Sequence, residues 1–96
     1  MNTTINAVKF RADEKLEKYI IEKVHKLDRM IDNATGCEVT LKVDKPESDN
    51  NKIAEIKIDL PGQALFISKQ CDTFEQAVSE GIDALKPQIE KYKEKR

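Results

Sequence analysis

IAEIKIDLPGQALFISKQC, residues 53–71, alternates apolar and polar side chains, breaks at Pro-Gly-Gln, and resumes. Ala54, Ile56, Ile58 and Leu60 share one face of the first half, so a period of two predicts a half-buried strand over 53–60. PGQ turns the chain, and ALFISKQC (64–71) is the next strand, with Phe66 on the opposite, open side. CEVTLKV (37–43) alternates in the same way, placing Val39, Leu41 and Val43 together. Between these strands KPESDNNK (45–52) holds no apolar residue and is expected to be a mobile loop. TINAVKF (4–10) is β-compatible and supplies the first strand.

The period changes to that of a helix in two places. Leu16, Ile20, Val24, Leu27 and Ile31 recur at spacings of 4, 4, 3 and 4, which predicts a helix over 14–31 with Asp13 as its N-cap. Asn33 to Gly36 ends it, with Gly36 expected at positive φ. A second helix is predicted over 74–93, capped by Asp72 or Thr73, with Phe74, Val78, Ile82, Leu85, Ile89 and Tyr92 on its buried stripe. Pro87 falls on the solvent side of that helix and is expected to splay its last turns or start a new register. Strands with one apolar face need one covering layer, and two amphipathic helices supply it. The expected fold is therefore α+β, a two-layer sandwich of order β-α-β-β-β-α, with a four-stranded sheet and two helices packed on one face. Residues 1–96 suffice for one domain and not for a second core.

Composition excludes several functions. Charged residues make up 36% of the chain, yet the formal net charge is −1, so no average field draws a polyanion. Only segregated charge could do so. The tail KYKEKR (91–96) carries four basic residues and one acid, which leaves residues 1–90 acidic. No stretch approaches the roughly 18 apolar residues of a membrane span, and no signal pattern opens the chain, so a soluble cytoplasmic protein is expected. Cys37 and Cys71 lack CxxC spacing and His25 has no companion, so a four-ligand zinc site fails on count. The cysteines are expected to be plain small side chains in a reducing compartment, and His25 an ordinary surface residue. The three glycines are scattered, so no phosphate loop forms, and no nucleophile with an oxyanion loop is present. Neither a cofactor nor an enzyme is expected.

The first helix sorts its charges. With Leu16 at zero and about 100° per residue, Lys23 lies near −20°, Lys26 near −80°, Lys15 near −100°, Arg29 near −140° and Lys18 near −160°. Glu14, Glu17 and Asp28 lie on the other flank, and only Glu22 intrudes among the cations. An ordinary solvated face of i, i+4 pairs, such as Glu14–Lys18, Lys18–Glu22 and Glu22–Lys26, is one explanation. A basic binding edge is the other. Lys23 favours the second, because a lysine above the apolar stripe needs a margin where its ammonium meets something polar. Phe66 has a parallel choice between cross-strand packing and stacking on a base.

FRADEKLEKYIIEKVHKLDRMIDN, EVTLKVDK, DLPGQAL and KQCDTFEQAVSEGIDALKPQIEKYKEK together resemble the short bacterial ribosome hibernation-promoting factors, the ribosome-associated translation inhibitors. The resemblance runs essentially from end to end and carries the same β-α-β-β-β-α order. It implies binding to the small ribosomal subunit between head and body, over the messenger and transfer RNA sites, with translation blocked while ribosomes are idle. It implies rRNA contacts from Lys23 and Lys26 on the first helix and from Lys91 and Lys93 on the second, with Lys86 a neighbouring candidate. Lys15, Lys18 and Arg29 join them from the charge pattern. Ala84 and Pro87 stand where the family commonly has cations, and Glu75 where it often has Tyr. Two readings follow: weaker rRNA binding, or binding that leans on the first helix and the tail. The expected partner is small-subunit rRNA, with no DNA and no membrane. The expected form off the ribosome is a monomer, without the C-terminal dimerisation domain of long-form members. The rival reading is a protein-binding regulatory module acting on a transcription factor.

Overall fold

The alternation over 53–71 becomes a hairpin. In the computed structural model, which describes residues 1–94, β3 (Lys52–Leu60) and β4 (Gln63–Cys71) pair antiparallel, with Ile58 opposite Leu65 and Ile56 opposite Ile67. Pro61 and Gly62 close the turn, and Gly62 takes φ 80, where a side chain would be strained. β2 (Gly36–Val43) pairs antiparallel with β3, and β1 (Asn2–Ala7) pairs parallel with β2. The sheet order is β1-β2-β3-β4. Between β1 and β2 runs α1 (Glu14–Asp28), and after β4 comes α2 (Phe74–Glu94). The architecture is the α+β sandwich that the periodicities predict.

Each helix begins at a satisfied cap. The Asp13 carboxylate accepts from the Leu16 backbone N–H at 2.8 Å, and the Thr73 hydroxyl accepts from that of Gln76 at 3.1 Å. At the entry to both helices the rings of Phe10 and Phe74 stack at 5.1 Å between centroids. At the exit Asn33, just after α1, donates to the Tyr92 hydroxyl at 2.8 Å. The two helices therefore lie side by side and run parallel. Beneath them Ile20, Leu27, Leu41, Ile56, Ile58, Leu85 and Ile89 are fully buried in one core. Burial of each such side chain contributes about 1.5–3 kcal/mol before the entropy of ordering the chain is subtracted.

Several boundaries differ from expectation for local reasons. β1 ends at Ala7 rather than residue 10, because Lys9 turns the chain at φ 64. α1 ends at Asp28 rather than residue 31. There Met30 N–H donates to the Leu27 carbonyl and Ile31 N–H to that of Asp28, a tightened last turn that still buries Ile31. Gly36 does not take positive φ; it opens β2 in extended pairing, and the left-handed positions fall to Lys9, Asn50 and Gly62. The loop expected to be mobile is braced from within. Buried Asn51 donates to the Lys45 carbonyl at 2.6 Å, and Asp44 N–H donates to the Asn51 carbonyl.

Pro87 neither ends nor re-registers α2. The helix continues to Glu94, and Ile89, beyond the proline, is fully buried on the same stripe as Leu85. The ring sits on the exposed side, where water can satisfy the carbonyl that the missing N–H would have reached. Pro87→Ala restores that donor and should raise the unfolding free energy in urea by about 1–3 kcal/mol.

Cys37 and Cys71 are free and buried. Burial, then the negative charge of Asp59, pushes the Cys37 thiol from its ordinary value of about 9 up to about 12. Burial first and then the Glu80 carboxylate also push Cys71 up. A thiol held above its unfolded value contributes stability that is whole below about pH 9 and is lost as pH climbs towards 12. The stability advantage of the wild type over Cys37→Ala should shrink across that window in urea melts. Both thiols should resist a thiol-specific reagent at pH 8 until the protein unfolds.

Candidate nucleic-acid interface

Which flank of α1 faces α2 decides what its cations can do together. Lys15, Lys18, Tyr19 and Glu22 share an open depression of about 310 Å³ with Glu75 of α2, so that flank borders the interhelix groove. The opposite flank, with Ile21, His25 and Asp28, looks towards Met1 and Thr3 of the β1 side. At about 100° per residue, Lys23, Lys26 and Arg29 fall on the groove flank with Lys15. On α2 the same arithmetic turns Glu75, Lys86 and Lys93 towards α1. Lys91 falls on the far flank, where it lines a shallow depression with Gln63, Leu65, Gln88 and Tyr92. The cation set read from the sequence is thus split. Lys15 and, at the outer rim, Lys18 line the depression beside α2. Helical spacing puts Lys23, Lys26 and Arg29 on the same flank of α1 and Lys86 and Lys93 on the facing flank of α2, and Lys91 belongs to another surface. Lys95 and Arg96 of the basic tail lie outside the described residues.

Pairing divides the same set differently. Lys18 Nζ is 3.2 Å from Glu14 and Lys86 Nζ 3.2 Å from Asp83, both pairs well exposed. Such pairs contribute only a few tenths of a kcal/mol to stability, but they place a carboxylate beside the charge. The other two expected pairs, Lys18–Glu22 and Glu22–Lys26, do not close. Among the described residues, no carboxylate lies within the 4.0 Å ion-pair distance of Lys15, Lys23, Lys26, Arg29, Lys91 or Lys93. Lys26, Lys91 and Lys93 also occupy last turns, where a cation complements the helix dipole.

Lys23 meets a different environment from the polar margin expected for it. It is half-buried, and its ammonium stands 5.5 Å from the centroid of the Tyr19 ring. The aromatic face, rather than a polar group, receives the charge. The charge pattern of α1 does not single out Tyr19. The available signal was its spacing four residues before Lys23, which stacks the two side chains on one helix face.

The open face of the sheet offers less to an anion. Lys42 pairs with Glu55 at 3.1 Å and Lys57 with Asp59 at 3.6 Å, so its positive charges are matched. Phe66 stands there 54% exposed, as the alternation requires, opposite Lys57 in the β3–β4 register. Among the described residues no group of carboxylates, histidines and cysteines is arranged to hold a metal ion, and no helix is long and apolar enough to cross a membrane.

Fold and surface together define a class: a small α+β sandwich domain whose helical layer presents a partly unpaired cationic groove. The chain belongs to the family described as sigma 54 modulation protein / S30EA ribosomal protein, whose profile matches residues 3–96. The ribosome hibernation promotion factor of Deinococcus radiodurans is 28% identical over 81 residues, which cover 83% of this chain and 42% of that protein. This chain therefore spans less than half the length of that relative. The ribosome hibernation promoting factor of Pseudomonas putida is 24% identical over 96 residues, covering 100% of this chain and 90% of that protein. Two solved structures share the fold. The N-terminal domain of Thermus thermophilus Protein Y superposes with a TM-score of 0.81 at 22% identity, over 96% of this chain and 99% of that one. A ribosomal subunit interface protein from Coxiella burnetii does so with a TM-score of 0.86 at 19% identity, over 97% and 98%.

The two kinds of lysine should separate on a polyanion. On immobilised heparin, Lys26→Gln should elute at clearly lower salt than wild type, whereas Lys18→Gln, whose charge already faces Glu14, should shift little.

Proposed function

We propose that this protein is a non-catalytic ribosome hibernation factor that binds small-subunit rRNA in the messenger and transfer RNA channel. It blocks translation there by steric exclusion, in the cytoplasm, during stress or stationary phase. The observation that carries this reading is the line of cations without carboxylate partners along the groove flank of α1. Membership of the family and the printed names of its relatives support it. Lys15, Lys23, Lys26 and Arg29 engage phosphates, with Lys93 and the paired Lys86 across the groove, each contact releasing condensed counterions. Lys18 at the rim and Lys91 on the far flank contribute less. Contacts of this kind position a protein on folded RNA by shape, which suits a surface that never changes sequence. Residues 1–96 act as one ribosome-binding domain, monomeric when away from the ribosome.

The test is co-sedimentation with purified small subunits. Lys23→Glu combined with Lys26→Glu should lower affinity by at least about a hundredfold at moderate salt and flatten the salt dependence. The unfolding free energy should fall by no more than about 2 kcal/mol, the scale of a lost dipole contact at Lys26 together with the lost ring contact at Lys23. Undiminished sedimentation of the double variant would remove these lysines from the interface.

The family description also names modulation of sigma 54, which favours a second reading as a protein-binding module acting on a transcription factor. The open sheet face, with Phe66 exposed among paired charges, is the surface it would use. Pull-down before and after nuclease treatment separates the two, because capture through rRNA vanishes with the RNA and capture through protein persists.

A further inference from the structure

We infer that Tyr19 is a positioning residue for Lys23, holding its ammonium in the groove with the charge available to a phosphate. This rests on the rRNA-binding reading above and adds a residue to it.

Lys23 occupies the apolar side of α1, between buried Ile20 and buried Val24, and is itself half-buried. A charge there loses part of its hydration, and something must offset the loss. A carboxylate would do so, but it would also neutralise the charge towards an anion, as Glu14 does for Lys18 at 3.2 Å. Glu22 and Glu75 line the depression that the Tyr19 ring borders, and among the described residues no carboxylate forms an ion pair with Lys23. What stands within reach is the Tyr19 ring at 5.5 Å. A ring face attracts a cation through its quadrupole and carries no net charge, so the ammonium is steadied while its full charge stays directed outward. Tyr19 packs against the core cluster, which fixes the ring as a platform. Exposed Lys26 has no such support and must surrender more side-chain freedom when it binds. Of the two lysines, Lys23 is the pre-ordered one.

The experiment measures affinity for purified small subunits at fixed salt for wild type, Tyr19→Phe, Tyr19→Leu, Lys23→Gln and the Tyr19→Leu/Lys23→Gln pair. Tyr19→Phe keeps the ring face and should bind within about twofold of wild type, while Tyr19→Leu should lose about three- to tenfold. In the Lys23→Gln background, Tyr19→Leu should cost nothing further, because the cation it served is gone. Equal losses in both backgrounds would make Tyr19 merely structural, and an unchanged Tyr19→Leu would remove it from the site; either overturns the inference while leaving the ribosome reading intact. Wild type that fails to bind subunits at all would instead overturn that reading and take this one with it. An independent readout needs no ribosome: the Lys23 ε-methylene protons should be shifted upfield by the ring in wild type and Tyr19→Phe. Their appearance at ordinary lysine positions in wild type would sink the proposed geometry.

Discussion

One side of the sheet is apolar and the other is not, and everything else follows from that asymmetry. Val39, Leu41, Ala54, Ile56 and Ile58 are fully buried on the inner face, while Lys42, Glu55, Lys57 and Asp59 pair up on the outer one. Both helices must therefore crowd onto the same side. Because β1 and β2 are parallel and α1 links them, α1 must cross back over that side between them. β4 runs in the same direction as β2, and α2 returns from it over the same face. Two parallel helices leave a groove between them, and whatever lines their facing flanks is presented as one surface.

In the proposed rRNA-binding role, that geometry is what lets a slightly acidic protein offer a polyanion a place to bind. The lysines of the open sheet face are matched by carboxylates, and the acids of α1 other than Glu22 sit on the flank away from α2 or pair at its rim. On α1 itself the cations without a carboxylate partner, Lys15, Lys23, Lys26 and Arg29, all fall on the flank that faces α2. Their charge is not large in sum, so its effect depends on arrangement: a few ammonium groups with no carboxylate beside them outweigh a greater number that are already matched. Lys23 shows the same economy at the scale of one residue, supported by a ring rather than by an opposing charge.

The sequence exposed most of the fold because the one-faced strands and amphipathic helices obey two distinct periods. Element order along the chain, the cap at Asp13 and the exposed position of Phe66 were legible from local pattern, and of the two cap candidates Asp72 and Thr73 the structure uses Thr73. The misread details share a cause. Lys9, Gly36 and the residues after Asp28 are set by how one element must enter the next, and that depends on partners distant in the chain. Pro87 was expected to disturb α2, but burial of Leu85 and Ile89 on either side of it holds the helix on course. Packing outweighed propensity there.

For the candidate site, the residue types and their sorting along α1 were determined by the sequence alone, since a helix converts spacing into direction without outside help. The tertiary structure decided which flank faces α2, that Lys91 belongs to a different surface from Lys86 and Lys93, and which lysines lose their charge to a neighbour. A helical wheel has no second helix in it. Ion pairing depends on distances of a few ångströms between side chains, and the direction of a flank depends on what the helix is pressed against, so neither exists until the layers are assembled.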